Sequence, residues 1–314
     1  MTTILPLMQT ALELGLIGSL TVLALFLSYS MLNVCDLSTD GCFTLGAAVG
    51  AVVAISGHPF LSIPAAMLAG VLSGFITAFL QTKMGVDSLL AGIIVNTGLY
   101  SVNIAVMGGA SILNMNKTET VFTMLKGSLP SNMGTYNKLI IAAIAVVLVA
   151  SFLCLFLRTR LGLAIRATGN NPDMVKSSSI NPVFTTIVGL CVANAFTGLS
   201  GCLLAQSQKS VNIDIGSGMV TIALASLLIG RTFLGRAGIK GRVFGVILGA
   251  FIFRLVYTFA LRMNMPAYML KMVSSIIVIF AISGPYLKSK YPVLARRLGI
   301  GKYASAARKG EENA

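Results

Sequence analysis

Long apolar runs separated by short polar breaks dominate the chain. They fall at roughly 10–32, 42–56, 61–82, 88–108, 138–157, 181–206, 216–230, 243–262 and 268–287. A helix needs about 20 apolar residues to cross a bilayer, so seven of these nine are long enough. The segments 42–56 and 216–230 are short. The pattern predicts an all-α, polytopic membrane protein with about nine membrane segments (eight to ten). The two short ones resemble each other. Both are rich in small residues and begin beside acidic, Gly-containing turns, "DLSTDGCFTLGAAVGA" and "VNIDIGSGMVTIALA". They read either as two thin spans or as broken helices lining a path. Counting alternate segments, they run in opposite directions, which predicts an inverted repeat.

Composition strengthens the membrane reading. Hydrophobic residues make up 56% of the 314 and charged residues 10%, against about 25% charged in soluble domains. The net charge of +14 would suggest nucleic acid in a soluble protein. Here it sorts by side, because Lys and Arg collect on the cytoplasmic face. Lys83, the cluster Arg158, Arg160, Arg166 and Lys176, the cluster Arg231, Arg236, Lys240 and Arg242, and the basic tail all fall on one side if the segments alternate. The N-terminus is then outside and the C-terminus cytoplasmic. Residues 1–287 form the membrane domain and 288–314 a basic cytoplasmic tail. No Lys or Arg precedes the first apolar run, so it lacks the charged start of a signal peptide.

Candidate chemistry is sparse. The five cysteines have no CxxC spacing and lie in or beside apolar runs, as buried thiols do. The single His58 cannot form a metal site alone, and no Cys/His or His/Asp/Glu constellation marks an enzyme. No GxxxxGK[ST] occurs; "GRTFLGR" and "GIGKYAS" have the wrong spacing. Transport by this chain therefore uses an ion gradient or a partner that hydrolyses ATP.

The central insert, "IRATGNNPDMVKSSSINP" at 165–182, bears on that choice. Asn171 before Pro172 is an N-cap followed by a first-turn proline, with Asp173 near the positive end of the helix dipole. Asn181-Pro182 repeats the signal. Upstream, Leu161, Ala164, Ile165 and Thr168 share one helical face, and Gly169 reads as a stop. Residues 158–181 thus form a compact helix–turn–helix on the cytoplasmic surface. It is either a docking knob for a soluble partner or an interfacial helix on anionic lipid.

The stretches "RTRLGLAIRATGNNPDMVKSSSIN", "IALASLLIGRTFLG" with "GRVFGVILGAFIFR", and "LSYSMLNVCDLSTDGCFTLGAAVGA" resemble the membrane permease subunits of bacterial ABC importers. The resemblance is to the branched-chain amino acid and simple sugar permease superfamily. Within it the chain is similar to a subgroup of predicted permeases for tryptophan and other aromatic amino acids. The resemblance implies that the insert, with Arg166, Gly169, Asn171, Pro172 and Asp173, is the coupling segment seated on a cytoplasmic ATPase subunit. ATP is then bound by that partner, and this chain needs no cofactor. A second permease copy, as a homodimer, and an extracytoplasmic substrate-binding lipoprotein complete the implied assembly in the bacterial cell membrane. The outer loop 109–137 and the tail match no pattern of this family.

Asp40, Phe43, Thr44, Asn96, Asp214 and Arg254 are the candidate translocation-path residues. Asp40 and Asp214 sit at the openings of the two short segments, one toward each side of the membrane. Small residues in those segments let helices approach and leave room for a solute. Arg254 reads either as a structural cation satisfied by a neighbouring span or as a charge beside the path. Asn96, Asn103 and Asn194 have the same two readings. Trp is absent, which fits chance as well as a gene needed when tryptophan is scarce. An ion-coupled secondary transporter is the alternative function. Its discriminating feature, ionisable residues inside spans, is thin here: Glu13 and Arg254, with Asp36, Asp40 and Asp214 at segment ends.

Overall fold

The computed structural model describes residues 4–128, 136–234 and 238–262, with 272, 274–279 and 283 beyond them. Helix α1 (Ile4–Leu25) continues into a π-helical turn (Phe26–Met31), followed by irregular chain at 32–38. Then come α2 (Thr39–Ile55), α3 (Ser62–Thr82), α4 (Ser88–Val106), strand β1 (Ile112–Asn114), α5 (Val121–Ser128), α6 (Asn137–Phe156), α7 (Arg160–Asn170) and α8 (Pro172–Ser177). These are followed by α9 (Pro182–Gln208), strand β2 (Ser210–Asn212), α10 (Met219–Leu234) and α11 (Ile239–Arg262). Each apolar run up to residue 262 has become a helix. The run 268–287 and the tail lie largely or wholly outside the described residues.

Among the described residues six helices are long and apolar enough to span a bilayer, while α2 and α10 are the two shorter apolar ones. The chain is a multi-pass, all-α membrane protein. Among the described residues the departure from helix is the antiparallel pair β1–β2, with Leu113 opposite Val211, which ties the loop after α4 to the end of α9. Periodicity could not reveal two strands of three residues.

Burial separates centre from rim. Of the apolar windows, 72% of α9 and 67% of the first span are buried, against 28% in α4 and in α6. The rim helices show Leu, Ile and Phe outward, as lipid requires. In lipid, helices associate by close van der Waals packing rather than by the hydrophobic effect, so the centre is built on small residues. A Cβ on Gly46 would overlap the carbonyl oxygen of Gly198, and one on Gly249 that of Ser226. The bodies of α2 and α10 are therefore pressed against α9 and α11. Ala47, Ala48 and Ala51 are fully buried. The expectation that small residues leave room for a solute along α2 does not hold, because their neighbours take that room.

Packing pairs exchange between the halves. Helix α9 packs on α2 and α3, and α1 packs on α10 and α11. Cys42 meets the Asn194 carbonyl and Gly50 lies at Cys202, so α2 runs parallel to α9. The Ser200 hydroxyl donates to the Ile17 carbonyl while Gly189 lies at Leu32, so α1 runs antiparallel to α9. Cavities lined by Leu14 to Val22 with Met219 to Ser226, and by Phe26 and Ser30 with Leu227 to Leu234, show α10 running parallel to α1. It follows that α2 and α10 are opposed in direction, as an inverted repeat requires.

One buried carboxylate fastens this core. Asp36, 2% exposed, accepts the Ser38 backbone N–H at 2.8 Å and the Asn194 side-chain N–H at 2.8 Å. Gly46→Val should drive α2 off α9 and lower the temperature of aggregation in mild detergent. Gly98→Val, in α4 where a Cβ meets nothing within 4 Å, should leave it unchanged. Equal behaviour of the two variants would contradict the close-packed centre.

Candidate functional site

The insert is fixed by its caps. Thr159 accepts the Gly162 N–H at 3.2 Å and starts α7. Asn171 Oδ1 accepts the N–H groups of Asp173 and Met174, both at 3.1 Å, with Pro172 opening α8. Asn181 does the same for Val183 and Phe184 at the head of α9. Asp173 pairs with Lys176 at 3.4 Å, both largely exposed, so the pair adds little. Ile165 and Val175 are buried, and the hydroxyls of Thr168 and Thr185 meet at 2.8 Å, seating the insert on α9. Arg166 is half-buried.

Two expectations change here. Leu161 is exposed, together with Leu163 and Met174, and Gly162 takes its place on the buried face. Gly169 is not a helix stop, since α7 runs on to Asn170. A Cβ on Gly169 would overlap the Met31 carbonyl oxygen and crowd Leu32. Glycine is needed because α7 lies directly on the end of the π-helical turn. That turn leads through residues 32–38 to Asp36 and α2, so the insert has a packed connection to the membrane core.

The second site is where α2 meets α10. Asp40 lies in the first turn of α2, yet it caps the other helix. Its carboxylate accepts the Gly218 N–H at 2.9 Å and the Val220 N–H at 2.8 Å. Thr44 Oγ1 accepts the Gly216 N–H at 3.2 Å and donates to the Asp40 carbonyl at 3.1 Å. The free N–H groups of a helix that starts inside the membrane must find acceptors, and α2 supplies them. Gly218, at φ +84°, makes the left-handed turn from which α10 departs.

Beside this junction lies a cavity of about 320 Å³ whose walls include Asp40, Thr44, Asn96, Tyr100, Asn103 and Asp214. Asn96, Tyr100 and Asn103 follow at i, i+4 and i+7 on one face of α4. Asn96 is eight residues in from the start of α4 at Ser88, about 12 Å along the helix, within a hydrocarbon layer about 30 Å thick. The structure thus gathers Asp40, Thr44, Asn96 and Asp214 in one place. Asp40 and Asp214 do not mark openings on opposite sides, because α10 begins against the first turn of α2. Asp214 is exposed, and its own N–H donates to Asn212 at 3.1 Å. Tyr100 and Ser217 were not singled out from the sequence; the spacing of Tyr100 between two asparagines was the available signal.

Phe43 and Arg254 lie elsewhere. Phe43 is fully buried, and both residues line a second cavity of about 50 Å³ walled by α1, α2, α9, α10 and α11. Arg254 lies along α1 at Gly15 and holds its guanidinium carbon 5.1 Å from the Tyr257 ring centroid. Its Nε is buried without a hydrogen-bond partner, and no carboxylate pairs with it among the described residues. Of the two structural partners expected from a neighbouring span, carbonyls or a carboxylate, the carboxylate is absent among the described residues. No group of three or more metal-ligating side chains occurs among the described residues.

The model for "Branched-chain amino acid transport system / permease component" matches residues 7–282. The tyrosine transport system permease protein of Clostridioides difficile (strain R20291) is 30% identical over 84% of this chain and 86% of its own length. An uncharacterized protein of Rickettsia prowazekii (strain Madrid E) is 28% identical over 87% of this chain and 96% of its own. The ribose import permease protein of Escherichia coli (strain K12) is 25% identical over 79% of this chain and 75% of its own. No solved structure matches the chain. A match across nearly all of the membrane-spanning helices places the chain in this family: it is a transport permease of the branched-chain amino acid and sugar class of ABC transporters.

Proposed function

We propose that the chain is the membrane-spanning subunit of an ATP-driven importer that carries an amino acid, an aromatic one such as tyrosine or tryptophan, into the cytoplasm. The observation that carries the substrate is the 30% identity to a tyrosine transport permease. Two copies of the chain enclose the path, cytoplasmic ATPase subunits hydrolyse ATP, and an extracytoplasmic binding lipoprotein delivers the solute. The N-terminus lies outside. Residues 288–314 form a cytoplasmic tail.

The insert 158–181 is the coupling segment in this reading. Asn171 and Pro172 fix α8, while exposed Leu163 and Met174 offer apolar contacts that a surface helix otherwise lacks reason to show. Gly169 carries displacement of α7 onto the π-helical turn and from there toward Asp36. The cavity at the α2–α10 junction belongs to the path, since polar groups of a membrane helix that face neither protein nor lipid need water or solute. Arg254 and Phe43 line the neighbouring space and change their surroundings when that junction moves.

Proteoliposomes holding permease, ATPase and binding protein should accumulate labelled tyrosine or tryptophan in an ATP-dependent manner, at least tenfold over ribose. Uptake driven by a sodium or proton gradient without ATP would refute the reading, and preference for a sugar would remove its substrate. Met174→Asp should weaken copurification of the ATPase without changing the melting temperature of the permease. Gly169→Val should keep the ATPase bound but cut transport per ATP hydrolysed about tenfold. Unchanged copurification and coupling in both would reassign the insert to a lipid-facing role.

A further inference from the structure

We infer that the cavity between α2, α4 and α10 recognises a primary ammonium group, the cationic end of an amino-acid solute. The identity of that solute rests on the import reading above; the chemistry of the cavity rests on its walls. Two carboxylates, Asp40 and Asp214, line it, and no Lys, Arg or His does. A cleft lined by one sign of charge between low-dielectric walls concentrates ions of the opposite sign. With two carboxylates and no basic side chain in its walls, the cavity favours a cation as occupant.

Asn103 shows what kind. Its side chain is 1% exposed, its amide nitrogen donates to the Gly41 carbonyl at 3.2 Å, and its amide oxygen is buried without a partner. Turning the amide over would set two oxygens against each other, so the orientation is chemically fixed. The unfilled group is therefore an acceptor, and it belongs to a residue that lines the acidic cavity. A buried acceptor without a donor is costly unless something bound supplies one.

An ammonium group has three donors and no acceptor, which suits walls made of carboxylate, amide and hydroxyl oxygens. The walls carry no third His, Cys, Asp or Glu side chain beside Asp40 and Asp214. At about 320 Å³ the cavity also exceeds the roughly 30 Å³ share of a single water. It has room for the atoms that follow the ammonium, with the Tyr100 ring among its walls.

The test uses the complete transporter in proteoliposomes and a thiol placed in the wall by Thr97→Cys. The half-buried Cys35, Cys154 and Cys191 are replaced by serine, and the buried Cys42 and Cys202 are kept. An ethylammonium methanethiosulfonate should modify this thiol about tenfold faster than its sulfonate counterpart, after correction for their rates on a free thiol. Asp214→Asn, a change at an exposed position, should reduce that preference several-fold, and Asn103→Leu should cut amino-acid uptake at least tenfold. Where Asn103→Leu fails to fold, Asp214→Asn decides. Labelling indifferent to charge in a complex that imports amino acid overturns the inference, as does uptake that requires sodium. Cation-selective labelling in a complex that imports no amino acid supports the ammonium chemistry and overturns the import reading instead.

Discussion

A helix that begins inside a membrane exposes N–H groups that lipid cannot satisfy. The Asp40 carboxylate, with Thr44 beside it, meets this constraint for α10. An acidic cap with helix-dipole attraction contributes on the order of 1 kcal/mol in water. At membrane depth the alternative is unsatisfied backbone, so more depends on it. Residues 213–218 can run as irregular chain only because α2 receives them. The polar cavity exists for the same reason: chain that is not a helix cannot close over α4 as a helix would.

The close packing of the centre follows from this arrangement. Helix α9 must approach α2 and α3 together, and Gly46, Gly198 and the small residues around them let the backbones nearly touch. Asp36 then ties the start of α2 to Asn194 on α9. Because interiors packed to this density do not deform continuously, a displacement at the head of α2 must move a whole contact. The Gly169–Met31 contact brings the insert 158–181 to the same point from the other side. The π-helical turn between them is the kind of local departure from α geometry that often occurs at functional sites.

Much of this was legible in sequence, for local reasons. The membrane runs follow from length and hydropathy. The two Asn-Pro caps act within three residues of themselves, so Asn171 and Pro172 could be assigned correctly from the text of the chain. Failures came where a residue acts at a distance. Asp40 reads as an acidic first-turn residue of its own helix, but its partner Val220 lies 180 positions away. Gly169 reads as a helix stop, because a glycine near a helix end usually is one; nothing local announces that the Met31 carbonyl will lie against it. The small residues of α2 were expected to leave space, whereas close approach uses it up. The same composition serves both outcomes, and only the position of α9 decides between them.

The two cavities lie on opposite sides of one junction. The larger has Asp40 and Asp214 in its walls, and the smaller has Arg254 without a carboxylate partner among the described residues. Thr44 and Phe43 are consecutive in α2 and face one cavity each; Ser217 and Met219 divide in the same way at the start of α10. A rotation or shift of this joint therefore cannot enlarge one cavity without altering the other. A buried guanidinium is tolerated in a membrane protein when an anion, a carbonyl or water reaches it. The Tyr257 ring supplies a weak substitute at 5.1 Å. The junction thus keeps the carboxylates of one cavity apart from the guanidinium of the other. Asp40 stands at the boundary between them: its carboxylate lines one cavity and holds the junction through two backbone hydrogen bonds.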